Sequence, residues 1–125
     1  MEELFDSFEK SIQRLEEVLK QEKTIFNRDS SIQRFEFTIE LAWKCIQKFL
    51  REQRIVCRSP KECLKEAFKF DLIDDDNRWL KAFDDRNLTV HTYKEEIAEK
   101  IYNNLPDYLE IFKKLKEALK HQKNL

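Results

Sequence analysis

The chain has 125 residues, with 24 Lys plus Arg against 25 Asp plus Glu and a formal charge of −1. That length predicts one domain spanning residues 1–125. The charge balance excludes recruitment of nucleic acid by global electrostatics, so any such binding must come from a local patch. Glycine is absent and proline occurs twice, which excludes Gly-rich phosphate loops, Rossmann turns and tight hairpins, and with abundant Leu, Glu, Lys, Gln and Ile favours an all-α domain.

Taken in chain order, the apolar spacing predicts about five helices in an up-and-down bundle. The first covers about residues 3–22, with Leu4, Phe8, Ile12, Leu15 and Leu19 on one stripe. Asn27 to Ser31 offers several N-caps for the second, which continues to about Gln53. Its apolar residues cover most of the circumference, leaving a narrow polar stripe of Gln33, Glu36, Glu40, Lys44, Gln47 and Arg51. Such a helix is packed on several sides. Ser59-Pro60-Lys61-Glu62 reads as a capping box with proline in the first turn, opening a third helix that reaches about Phe70. A fourth is expected from the Asp74–Asp76 cluster, read as caps and dipole partners, towards Arg86. Thr92-Tyr93-Lys94-Glu95 repeats the capping-box pattern ahead of a last helix whose apolar spacing continues through Pro106, predicting one kinked helix. Trp43 and Trp79 are expected as core or interface anchors.

Cys45, Cys57 and Cys63 are odd in number and lack a Cys-x-x-Cys pair, which reads as reduced thiols of a cytoplasmic protein. No apolar run approaches the ~18 residues of a membrane span and no signal peptide opens the chain. His121 lies in the polar tail, apart from the other histidine, so neither a metal centre nor a cofactor is expected.

The sequence "DDRNLTVHTY", residues 84–93, falls at the break between the fourth and fifth helices. A helix N-terminus there offers unpaired N–H groups and partial positive charge to an anion. Arg86 brings a planar donor fork matched to phosphate, and His91 sits just before the cap, where the helix field disfavours the protonated form and suits a base. These groups suit phosphodiester chemistry without a metal. Arg86 has a plainer alternative, pairing with Asp84, Asp85 or a neighbouring carboxylate, and His91 one as an ordinary loop residue bonded to backbone. Asn87 either contacts phosphate or ends the fourth helix in a left-handed conformation.

"RNLTVH" fits the Arg-x4-6-His motif of HEPN domains, and "RNLTVHTY" resembles the Arg-x4-His-x-Tyr form of HEPN toxins paired with minimal nucleotidyltransferases. "RFEFTIELAWKCIQKFL" (34–50), "SPKECLKEAF" (59–68) and "DDRNLTVHTYKEEIA" (84–98) resemble, in order, the subgroup of nucleotidyltransferase substrate-binding proteins. The resemblance implies a homodimer with a composite cleft and metal-independent RNA cleavage. In it, His91 handles protons at a ribose 2′-hydroxyl and Arg86 stabilises charge on the phosphate. It implies a nucleotidyltransferase as partner and antitoxin, with Tyr93 accepting AMP from it. HEPN domains often place a polar or acidic residue of an inner helix against the Arg/His pair. Glu36 and Glu40 are the candidates, the plainer reading being a Glu40–Lys44 pair on a solvated face. The alternative function is a non-catalytic module that presents a nucleotide or acceptor substrate to the nucleotidyltransferase. The chain has no glycine for a nucleotidyltransferase Gly-Ser motif, so it does not transfer nucleotides itself.

Overall fold

The computed structural model describes residues 2–74 and 77–123. Among these, five α-helices form the fold: α1 Glu2–Leu19, α2 Ile25–Glu52, α3 Pro60–Lys69, α4 Arg78–Leu88 and α5 Glu95–Lys123, with a 3-10 turn at Thr89–His91 between the last two. The predicted all-α bundle is what the chain forms.

Contacts along the helices give their directions. The hydroxyls of Ser11 and Thr38 hydrogen-bond at 2.7 Å, and Cys45 Sγ reaches the Leu4 carbonyl, so α1 and α2 run antiparallel. Arg28 meets Glu95 while Phe35 stacks on Tyr108 with ring centres 5.3 Å apart, so α2 and α5 run parallel. Arg78 pairs with Glu110 and Asp85 with Asn104, setting α4 antiparallel to α5. Helices α1, α2 and α5 enclose the main core, where Phe8, Phe35, Tyr108 and Phe112 interlock with no solvent exposure. Each such ring contributes about 1.5–3 kcal/mol by leaving water. Among the described residues, helix α3 packs mainly against α2 and α4. Trp79 is buried in this core, and Trp43 packs edge-on against Phe83.

Several boundaries differ from the sequence expectation. Helix α1 stops at Leu19, and α2 begins at Ile25 under Thr24, whose side chain accepts from the Asn27 N–H. The expected caps at 27–31 are inside the helix, with Arg28 and Ser31 buried. Helix α4 starts at Arg78; Asp74 precedes it and lies 3.9 Å from Lys114, while the expected caps Asp75 and Asp76 lie outside the described residues. Ser59 does cap α3, accepting from the Glu62 N–H. The box at Thr92 does not form: its hydroxyl donates to the Thr89 carbonyl, and the Glu95 carboxylate is taken by Arg28. Pro106 stands inside one continuous α5.

The reading of three reduced cysteines is corrected. Cys57 and Cys63 form a disulfide, their Cα atoms 5.1 Å apart, and Cys45 alone stays a thiol, its titration pushed up to about 12 by burial. The turn of chain around Ser59 and Pro60 folds Cys63, in the first turn of α3, back onto Cys57. Their spacing in the sequence gave no hint of this, and the sequence argument for a cytoplasmic location loses its basis. No helix among the described residues is long and apolar enough to cross a membrane.

Two helix ends solve the absence of glycine in the same way. Arg54 (φ 65°) and Asp71 (φ 57°) take the left-handed conformation just past α2 and α3. Ile55 N–H then returns to the Leu50 carbonyl and Leu72 N–H to the Ala67 carbonyl, closing both helices in the Schellman manner usually given to glycine.

Candidate functional site

Helix α4 carries Arg86 in its last turn, facing the polar stripe of α2. Arg86 forms an ion pair with Glu40, and its guanidinium carbon lies 5.8 Å from the centre of the Trp43 ring. Carboxylate and aromatic face together hold the cation. Both charged side chains are about one-third exposed, so the pair adds little to stability but fixes where the guanidinium sits. Of the sequence alternatives, Glu40 is the carboxylate that meets Arg86, and no Glu40–Lys44 pair forms among the described residues. Glu36 lies one turn earlier on α2; burial pushes its carboxyl above the ordinary value, and the Arg86 charge pulls it part of the way back.

Arg86, Glu36, Glu40 and Asn87 line one open groove with Phe37 and Val90. Asn87 is exposed within α4, which continues through Leu88 with an ordinary backbone there. Its expected left-handed role is thereby corrected: the helix hands over to the 3-10 turn instead.

The structure does not bring His91 into the same groove of a single chain. His91 ends the 3-10 turn, exposed, just ahead of α5, and its ring lies 6.0 Å from that of Tyr93, edge to face. Tyr93 is 74% exposed. Arg86 and His91 thus stand on consecutive short elements, and of the two only Arg86 lines the groove. Among the described residues no three His, Cys, Asp or Glu side chains converge as a metal site.

Two supporting residues escaped the sequence reading. Asp85, expected as a partner for Arg86, is buried instead, accepting from Tyr108 Oη at 2.5 Å and Asn104 Nδ2 at 3.0 Å. It ties α4 to α5 one residue before Arg86. Burial, with the Asp85 carboxylate beside it, pushes the Tyr108 phenol far above its ordinary range. The signal was Tyr108 in an otherwise apolar stripe, since a buried tyrosine needs a partner for its hydroxyl. The other residue is Arg28, 3% exposed, which donates to both oxygens of Glu95 at 2.6 and 3.2 Å and to Asp29. It pins the start of α5, and so the segment that bears His91 and Tyr93, to the start of α2. A buried arginine cannot be told from a surface one by spacing alone.

Known proteins resemble this chain along most of its length. Residues 3–121 match the family described as nucleotidyltransferase substrate binding protein like. A Haemophilus influenzae protein named "Probable ribonuclease HepT" is 37% identical over 84 residues, 63% of this chain; the match spans 58% of that relative's length. A crystal structure of a Thermus thermophilus protein superposes with a TM-score of 0.85 at 38% identity, covering 90% of this chain and 98% of its own. A second solved structure, from Haemophilus influenzae, is described as having the fold of a substrate binding domain of a nucleotidyltransferase; it superposes with a TM-score of 0.84 at 28% identity, covering 93% of this chain and 98% of its own. The chain belongs to the nucleotidyltransferase substrate-binding protein-like family of HEPN-type helical domains.

Proposed function

We propose that the chain is the toxin partner of a small nucleotidyltransferase, an RNase that acts without a metal through Arg86 and His91 and is silenced by adenylylation of Tyr93. The observation that carries this reading is the Arg86 corner, a guanidinium held by Glu40 beside Trp43, followed in the chain by the exposed, mutually contacting rings of His91 and Tyr93. Arginine has five N–H donors, and one carboxylate uses only part of that set. The remainder suit phosphate oxygens. Histidine as a residue type exchanges protons near neutral pH, and the exposed His91 suits a ribose hydroxyl.

In the proposed reaction one His91 removes the 2′-hydroxyl proton, and the 2′-oxygen attacks the adjacent phosphorus. The bond to the 5′-oxygen breaks, and that oxygen takes a proton from a second acid. The products are a 2′,3′-cyclic phosphate and a free 5′-hydroxyl. Arg86 stabilises the charge that builds on the phosphorane oxygens. One chain supplies one such histidine, so a homodimer, with His91 of each copy at a shared cleft, supplies base and acid. Adenylylation forms a bond from the Tyr93 hydroxyl oxygen to the α-phosphorus of ATP and expels pyrophosphate. The added group carries bulk and negative charge to the neighbourhood of His91, opposing RNA phosphate there.

A second reading, a binding module that presents a nucleotide or acceptor to the nucleotidyltransferase, is favoured by the family's description as substrate-binding. The two separate in one experiment. The purified chain is incubated with RNA before and after treatment with its nucleotidyltransferase and ATP, beside Tyr93→Phe. Cleavage that treatment abolishes in the parent but not in Tyr93→Phe supports the toxin reading. RNA left intact by a folded, unmodified parent sinks it and leaves the binding module.

A further inference from the structure

The hairpin of α1 and α2 forms a second open groove, and its rims are cationic. Lys10 and Arg14 recur at helical spacing on α1, Arg34 and Lys44 on α2, and all four line this groove. Small residues lie between the cations: Ser7 and Ser11 line the groove, and Ser11 bonds hydroxyl to hydroxyl with the buried Thr38 beneath it. None of the four cations has an ion-pair partner among the described residues, whereas Lys23, Arg28, Arg86 and Lys113 all do. The groove's one carboxylate, Glu40, is committed to Arg86. In a chain of net charge −1, four unpartnered positive charges along one recess are a local patch of the kind that composition alone leaves as the route to nucleic acid.

The recess is continuous with the candidate site. Phe37 and Glu40 line both this groove and the groove of Arg86. Phe37 is 47% exposed at that junction, with the Arg34 guanidinium carbon 5.8 Å from its ring centre. An exposed ring flanked by arginine costs solvation without adding to the core, and it is the arrangement on which an unpaired base stacks. From Arg34 to Lys44 the cations extend along ~15 Å of helix, at 1.5 Å per residue.

We propose that the α1–α2 groove binds the backbone of single-stranded RNA and leads it over Phe37 to Arg86. This rests on the RNase reading for its purpose, though the binding can be measured apart from cleavage. A single strand is favoured over an acidic protein by the exposed stacking ring. It is favoured over a duplex because duplex RNA keeps its bases from such a ring.

The test is binding of a fluorescently labelled, uridine-rich single-stranded RNA by the His91→Ala chain across a range of salt. The comparison is the same chain with Lys10, Arg14, Arg34 and Lys44 each changed to Gln. A control carries Gln at Arg51, Lys61, Lys65 and Lys100, exposed cations elsewhere. Each phosphate contact contributes about 0.7 to the slope of log affinity against log salt for a single strand. The groove variant is therefore expected to bind about tenfold or more weakly at low salt with a flatter slope, while the control keeps both. Phe37→Ala weakens binding with the slope retained. Unchanged binding by the groove variant, or equal losses in groove variant and control, overturns the proposal. Cleavage by the parent alongside unchanged groove-variant binding removes the groove alone. Groove-dependent binding by a parent that never cleaves supports the groove and removes the RNase reading.

Discussion

Arg86 occupies a position set by three neighbours of different kinds: Glu40 by charge, Trp43 by its ring face, and Asp85 through the backbone that both share. Asp85→Ala leaves the Tyr108 hydroxyl buried without its acceptor, an expected loss of about 1–3 kcal/mol, measured by urea unfolding. Adding Tyr108→Phe to that variant removes the orphaned group, so the double variant should be more stable than the two single losses summed. Glu36 gives a pH signature. Its carboxyl titrates above the ordinary value in the folded chain, so the folded state holds the proton over a window where the unfolded state has released it. Stability therefore falls as pH rises through that window, and the cost is fully present above it. Glu36→Gln is expected to stabilise the chain above the window and to have no such effect below it, read from thermal melts at a series of pH values. A pH-independent difference would show that burial of Glu36 is not the cause. At this scale the place of Arg86, His91 and Tyr93 at the break between α4 and α5 was legible in the sequence. Their supports were not, because Asp85 and Arg28 look like surface charges until distant helices bury them.

The helices themselves were legible where a cap has no competitor. Ser59 accepts from Glu62 N–H as its pattern predicts. Thr92 carries the same pattern and fails, because a 3-10 turn takes its hydroxyl and Arg28, 67 residues earlier, takes the Glu95 carboxylate. Local capping chemistry lost to a tertiary ion pair. The ends of α2 and α3 went unread for another reason: left-handed caps are recognised by glycine, and here Arg54 and Asp71 adopt them. A side chain in that conformation costs roughly 1–2 kcal/mol, partly offset by the backbone entropy that glycine would lose. Arg54→Gly and Asp71→Gly are each expected to stabilise the chain by about 0.5–1 kcal/mol in denaturant unfolding. Destabilisation by both would mean that their side chains, and not the closed helix ends, hold those corners.

Across the whole molecule, three long helices enclose the main core, and α4 with the 3-10 turn bears Arg86 and His91. α2 is the shared element. Its inner face supplies Phe35 to the aromatic core, its start holds Arg28 against α5, and its polar stripe presents Glu36 and Glu40 to Arg86. The bundle was legible because apolar spacing persists along every helix, even across Pro106. The Cys57–Cys63 bond was not, since only the turn before α3 brings the two together. In a single chain His91 does not line the groove of Arg86, and the proposed reaction needs two proton-transfer groups, which a paired copy would provide. The most direct test is RNA cleavage in EDTA by the purified chain beside His91→Ala, with mass spectrometry confirming that Tyr93 is unmodified. Products with 2′,3′-cyclic phosphate ends are expected from the first and intact RNA from the second. Equal cleavage by both, or RNA left intact by the folded parent, would contradict the proposed reaction.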